Sequence, residues 1–130
     1  MASIFTKIID KEIPAHILYE DKQFIAILDA HPNTKGHTLL IPKIEVASII
    51  DLPEPYLRKM MPIASEIAHM LERKLNCKSF NFEINDGPIA GQEVAHVHLH
   101  IIPRYNKKER IVERKNHNDK LENIHSLLVN

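Results

Sequence analysis

The chain is poor in cysteine and glycine, carries no surplus of charge of either sign, and has no long hydrophobic run. Its one thiol, Cys77, cannot form an intramolecular disulfide, which fits a reducing compartment. Seventeen Lys and Arg against seventeen Asp and Glu leave a formal net charge of zero. That argues against binding driven by a broad basic field on nucleic acid or anionic membrane, but leaves room for a small anion held by local groups. No apolar stretch approaches the roughly 20 residues of a membrane helix. Lys7, Asp10, Lys11 and Glu12 interrupt the amino terminus, so no secretory core region is expected there. The expectation is a soluble cytoplasmic protein with neither nucleic acid nor membrane as partner. Its 130 residues suffice for one domain, 1–130, with a substantial core. Repeats and low-complexity tracts are missing too.

Nine histidines are present, and three of them stand in one register: His96-Val97-His98-Leu99-His100-Ile101-Ile102-Pro103. Strict alternation with aliphatic residues predicts a half-buried strand, stopped by Pro103. His96, His98 and His100 would then share one face, roughly 6.5–7 Å apart, with Val97, Leu99 and Ile101 on the other. The loop before this row, Asp86 to Gln92, holds two of the three glycines.

Around the row, Ser3 is placed to cap a short helix carrying Ile4, Phe5, Ile8 and Ile9, ended by Pro14. Ile17–Glu20 and Phe24–Asp29 read as a hairpin about Asp21-Lys22-Gln23. The second of these is apolar throughout, as in a strand covered on both sides. His37–Ile41 is a third strand closed by Pro42, and Phe80–Asn85 a fourth. Between them, Glu54–Leu75 has helical spacing, with Leu57, Met61, Ala64, Ile67 or Ala68, Leu71 and Leu75 on the apolar face. Pro62 predicts a kink or two abutting helices. His69 on this helix reads as a surface or packing residue. The segment 105–130 reads as an extension, with charged residues 107–110 and a short helix opened near Asn118 through Leu121, Ile124, Leu127 and Leu128; His117 and His125 are taken as structural. The sum is an α+β fold: a mostly antiparallel five-stranded sheet, one long helix and a short N-terminal helix.

Three chemistries suit a row of imidazoles. Metal binding needs convergent ligands from another element; His37 and Glu83 are available, but without a recognisable ligand spacing. Acid–base work for a separate nucleophile lacks that nucleophile, since Cys77 has no base beside it and no serine sits in a strained Gly-x-Ser-x-Gly turn. Nucleophilic attack by histidine on phosphorus fits best. A neutral imidazole can attack if one nitrogen is held as a donor, for instance by a backbone carbonyl. Neighbouring histidines then bind the phosphate oxygens, and Asn85, Gln92 and the Gly91 backbone can cradle them.

These residues resemble the histidine triad (HIT) family. The resemblance rests on His96–Ile102 with Gly91-Gln92-Glu93-Val94 before it, on Gly36–Lys43, on Asn85-Asp86-Gly87, and on Ile4–Ile9 followed by Glu12–Ala15. It is greatest to the nucleoside phosphoramidase branch and its bacterial relatives. The resemblance implies a homodimer whose two sheets join into one, and no cofactor. It implies that His98 attacks the α-phosphorus of a purine nucleoside monophosphate derivative, forming a covalent nucleotidyl-histidine. His100 would bind the α-phosphate, and His96 with His37 would orient their neighbours. Asn85, Gln92 and the backbone near Gly91 and Val94 would hold phosphate, Asp29 would accept from the ribose hydroxyls, and Ile4, Phe5, Ile8 and Ile27 would flank the base. Two departures stand out. Ser3, Thr6 and Glu45 occupy places where many relatives bind a structural zinc, so no metal of that type is expected. Glu93 replaces a frequent serine near the leaving group, where a carboxylate favours a cationic amine and repels a further phosphate. The alternatives are a dinucleoside polyphosphate hydrolase and a non-enzymatic nucleotide-binding interaction protein.

Overall fold

A computed structural model describes residues 2–109 and 120–129. Five strands form one antiparallel sheet in the order β1-β2-β3-β5-β4. They are β1 (Ile17–Glu20), β2 (Phe24–Leu28), β3 (Thr38–Pro42), β4 (Ser79–Glu83) and β5 (Leu99–Arg104). Among the described residues three α-helices accompany them: α1 (Ile4–Ile9), α2 (Glu54–Leu75) and α3 (Leu121–Val129). The β1–β2 turn is fastened by Asp21, whose Oδ1 accepts the backbone N–H groups of Gln23 and Phe24 at 2.7 Å each.

The sheet is covered on two sides because its inner strands are apolar on both. Phe24 and Ala26 of β2, Leu40 of β3, and Leu99 and Ile101 of β5 pack with Met60, Ile63, Ile67 and Leu71 of α2. The alternate residues Ile25, Ile27, Leu39 and Ile41 pack with Phe5 and Ile8 of α1. The histidine row falls on this α1 side, since Val97, Leu99 and Ile101 belong to the other core.

Several boundaries differ from expectation, each for a local reason. Helix α1 ends at Ile9, before Pro14, because Lys11 takes a left-handed conformation (φ 64°) and its N–H returns to the Ile8 carbonyl. Helix α2 is one continuous 22-residue element despite Pro62. Pro62 and Arg58 both face solvent, so the Arg58 carbonyl that loses its donor can meet water. The buried stripe runs Met60, Ile63, Ala64, Ile67, Ala68 and Leu71, leaving Leu57 and Met61 exposed. The adjacent pair Met60-Met61 permits either rotation, and packing against the sheet selects one. His69 is exposed on this helix.

Strand β5 begins at Leu99, so His96 and His98 precede the ladder. The β3–β5 register, with Leu40 opposite Leu99, would place Val97 opposite Pro42, which has no N–H to donate. The Val97 N–H instead bonds the Val46 carbonyl at 2.8 Å. Pro103 lies inside β5 rather than ending it, opposite Phe80. Its carbonyl accepts from the Thr34 hydroxyl at 2.6 Å, on the side where β3 has already stopped, so no ladder donor is lost. Helix α3 exposes Leu121, Leu127 and Leu128, and His125 is exposed with them. His117 and Asn118 lie outside the described residues.

Gly36 makes the turn into His37 at φ +89°, and a Cβ there would stand 2.5 Å from Leu75 Cδ1. Gly36→Ala should therefore cost about 1–3 kcal/mol, mostly backbone strain since the leucine end can rotate. Urea unfolding curves would measure it; an unchanged midpoint would refute the assignment.

Candidate active site

The row of histidines is held by three different devices. His98 sits with its Nδ1 2.7 Å from the backbone carbonyl of His96. A carbonyl only accepts, so Nδ1 carries the hydrogen and Nε2 keeps its lone pair. His98 is buried against Phe5, ring centroids 4.9 Å apart and nearly perpendicular. Burial holds its pKa below the ordinary 6.5, against the opposing pull of the His96 carbonyl.

His96 is fully buried, and both its ring nitrogens are engaged. Nε2 lies 2.8 Å from the Pro42 carbonyl and Nδ1 2.8 Å from the Ser3 hydroxyl. The proton is thus on Nε2, and the Ser3 hydroxyl donates to Nδ1. Ser3 caps α1 by accepting from the Thr6 N–H at 3.1 Å. Glu45 completes this latch: its Oε1 accepts from the Ser3 N–H and the Thr6 hydroxyl, both at 2.6 Å. Those two bonds lower the Glu45 pKa to about 2. The three positions marked as departures therefore tie α1 to the loop after β3 and to His96. Residue types alone carried no signal of that union.

His100 and His37 form the third device. The backbone N–H of Asn33 donates to His37 Nδ1 at 3.0 Å, which leaves the hydrogen on Nε2. Nε2 lies 2.9 Å from His100 Nδ1 and 3.5 Å from Asp29 Oδ2. His100 accepts at Nδ1 and so offers its Nε2–H to a ligand. Burial is the main force holding both pKa values low, and Asp29 opposes it in each. The rings of His98 and His100 are 4.9 Å apart, closer than the strand spacing suggested.

Asp29, His37 and His100 bring one ligand atom each within 4.8 Å of one another, the one such group among the described residues. The donor pattern nevertheless favours hydrogen bonding over a metal. A metal-bound imidazole needs its second nitrogen protonated and donating, whereas His37 Nδ1 receives an N–H.

These side chains open into a cleft of about 1080 Å³, ample for a nucleotide-sized ligand. It is lined by His37, His98, His100, Asp29, Asn85, Gly91, Glu93 and Val94, with Ile4, Phe5, Ile8 and Ile27 forming the apolar wall. Phe5, Ile8 and Ile27 are at once core and wall, and Ile4 is half exposed. Two expected residues do not reach the cleft. His96 is enclosed behind it. Gln92 is consumed in bracing the approach loop, accepting from the Gly87 N–H (2.7 Å) and donating to the Ala47 and Val94 carbonyls (2.8 and 3.0 Å). Conversely, His16, His31 and Asn33 line the cleft without having been anticipated. They come from loops, and Asn33 acts through its backbone, which every residue possesses.

Known proteins resemble this chain in sequence and fold. The family model of the HIT domain matches residues 10–107. An uncharacterized HIT-like protein of Methanocaldococcus jannaschii is 42% identical over 110 residues, covering 85% of this chain and 84% of that one. Adenosine 5'-monophosphoramidase of Saccharomyces cerevisiae is 39% identical, covering 98% of this chain and 81% of its own. The crystal structure of a member of the HIT family from Bacillus subtilis superposes with a TM-score of 0.89 at 34% identity, over 98% of this chain and 93% of that one.

The lowered pKa values of His37, His98 and His100 have a sign. In the unfolded chain these groups protonate near 6.5; in the native protein they resist it. Their contribution is fully retained above 6.5 and is lost as pH falls through the lower native values. Urea midpoints should drop between pH 7 and pH 5.5, and a flat profile would contradict the assigned burial.

Proposed function

This chain belongs to the HIT domain family, and from that membership we propose that it hydrolyses purine nucleotide derivatives at the α-phosphorus through a covalent nucleotidyl-His98. The observation that carries the proposal is the bond from His98 Nδ1 to the His96 carbonyl, which turns the Nε2 lone pair into a standing nucleophile. Burial keeps that imidazole neutral near pH 7, so no base is required to activate it. His100 Nε2–H donates to a phosphate oxygen, with its tautomer set by His37. His96 does not touch substrate; it positions His98 through its carbonyl.

In the reaction Nε2 forms a bond to phosphorus as the bond to the leaving nitrogen or oxygen breaks, and the leaving group departs with a proton taken from solvent. Water then attacks the phosphorus and releases the nucleoside monophosphate and free His98. The purine lies along Ile4, Phe5, Ile8 and Ile27, and Asp29 meets the sugar. The activity printed for the yeast relative, an adenosine 5'-monophosphoramidase, supports this class of substrate. The reading includes a homodimer, supported by the open outer edge of β4 and by half-exposed Phe82 on it.

His98→Ala should lower turnover of a nucleoside phosphoramidate by at least about a thousandfold while nucleotide binding and the unfolding midpoint persist. Mass spectrometry of wild-type protein quenched during turnover should find one nucleotide on His98; retained turnover in the variant would remove it from the nucleophile's role. Phe82→Asp should shift sedimentation toward monomer, and no shift would place the dimer contact elsewhere.

A further inference from the structure

After β3 ends at Pro42, the consecutive residues 45–49 fasten α1, the histidine row and both ends of the approach loop. Glu45 holds the start of α1 through Ser3 and Thr6. The Val46 carbonyl accepts from the Val97 N–H at 2.8 Å, and the Ala47 carbonyl from the Gln92 amide, also at 2.8 Å. Ser48 and Ile49 share one partner, the half-buried Asp86. The Ser48 hydroxyl donates to its Oδ2 at 2.9 Å, and the Ile49 N–H to its Oδ1 at 3.1 Å. Both oxygens of Asp86 thus engage residues 38 and 37 positions away in sequence.

The approach loop between Asp86 and Gln92 has little packing of its own. Pro88, Ile89 and Ala90 are exposed, and among the described residues a Cβ added at Gly87 or Gly91 would meet nothing within 4 Å. Its internal bonds, from the Ala90 N–H to the Gly87 carbonyl and from the Gly91 N–H to the Pro88 carbonyl, shape the turn without fixing where it sits. Its placement therefore comes from its two ends. Asn85 and Gly91, which line the cleft, are each next in sequence to one of these anchors.

We propose that Asp86 is a positioning residue for the hydrolysis, an assignment that rests on the nucleotide reading of the cleft. Asp86 does not line the cleft. By clasping Ser48 and Ile49 it holds Asn85 and the approach-loop backbone where they meet the phosphate. A carboxylate suits this place because it accepts an O–H and an N–H at once, and its charge strengthens both bonds. His98 is supported separately, through His96, Pro42 and Ser3. Loss of the clasp weakens phosphate binding in the ground state and the transition state alike, which raises KM and spares kcat. The purine and sugar face α1, β2 and Asp29 rather than the loop, so their binding stays.

The test measures, on the whole protein, turnover of a purine nucleoside phosphoramidate and calorimetric affinity for the nucleoside monophosphate and for the nucleoside without phosphate. Asp86→Ala should raise KM and the monophosphate Kd by about tenfold, keep kcat within about twofold, and leave nucleoside affinity unchanged. Asp86→Asn should restore most of the loss, since its carbonyl accepts from the Ile49 N–H and its amide donates to the Ser48 hydroxyl oxygen. Equal loss for nucleoside and monophosphate, or a fall confined to kcat, overturns the role of Asp86 and leaves His98 as nucleophile. Monophosphate affinity that depends on Asp86, in a protein that cleaves no phosphoramidate, supports Asp86 and overturns the hydrolase. Where Asp86→Ala fails to fold, Ser48→Ala removes one of the two bonds and should give the same pattern at about two- to threefold. Unchanged monophosphate affinity in that variant overturns the clasp.

Discussion

A histidine attacks only through an unprotonated nitrogen, and a free imidazole spreads its hydrogen over two. In this protein the choice is made by one backbone carbonyl, that of His96, 2.7 Å from His98 Nδ1. Much of the surrounding structure serves to keep that carbonyl in place. The His96 ring is bolted at both nitrogens, to Ser3 and to Pro42. Pro42 is free to accept because it has no N–H with which to extend the ladder toward Val97. The end of the strand pairing and the start of the candidate site thus have the same cause.

Burial gives the second constraint. The sheet hides one face under α2 and the other under α1, and the histidines lie on the α1 side among apolar groups. Such surroundings penalise a charged imidazole, so the site is built from neutral donors and acceptors rather than from cations. The same surroundings make the tautomer chain from Asn33 through His37 to His100 effective, since no competing water is needed to satisfy it.

Much of this was legible along the chain. Helix α2 has the bounds its periodicity foretold, from Glu54 to Leu75, because twenty-two residues of consistent spacing outweigh one proline on the wet face. The hairpin about Asp21 was legible because an aspartate there supplies its own turn. The face shared by His96, His98 and His100 followed from alternation, which persists even where the ladder has not begun. Gln92 was not legible as a brace, because an amide serves a phosphate and two loop carbonyls equally well. Leu57 and Met61 were misassigned to the core because an apolar pair at 60–61 leaves the helix free to turn by one position.

The order of residues alone determined the chemistry on offer: three imidazoles in register, a glycine-bearing loop before them, and a formal net charge of zero. Those are local facts, and local spacing conveys them. Only the tertiary structure decided which nitrogen of each ring holds its hydrogen. It also decided that Ser3, Thr6 and Glu45 close into a latch, and that Asp29 and His37 reach His100. Each of these depends on a partner from a distant segment, often a backbone group, and backbone groups are the same at every position. Their placement is a property of the folded chain.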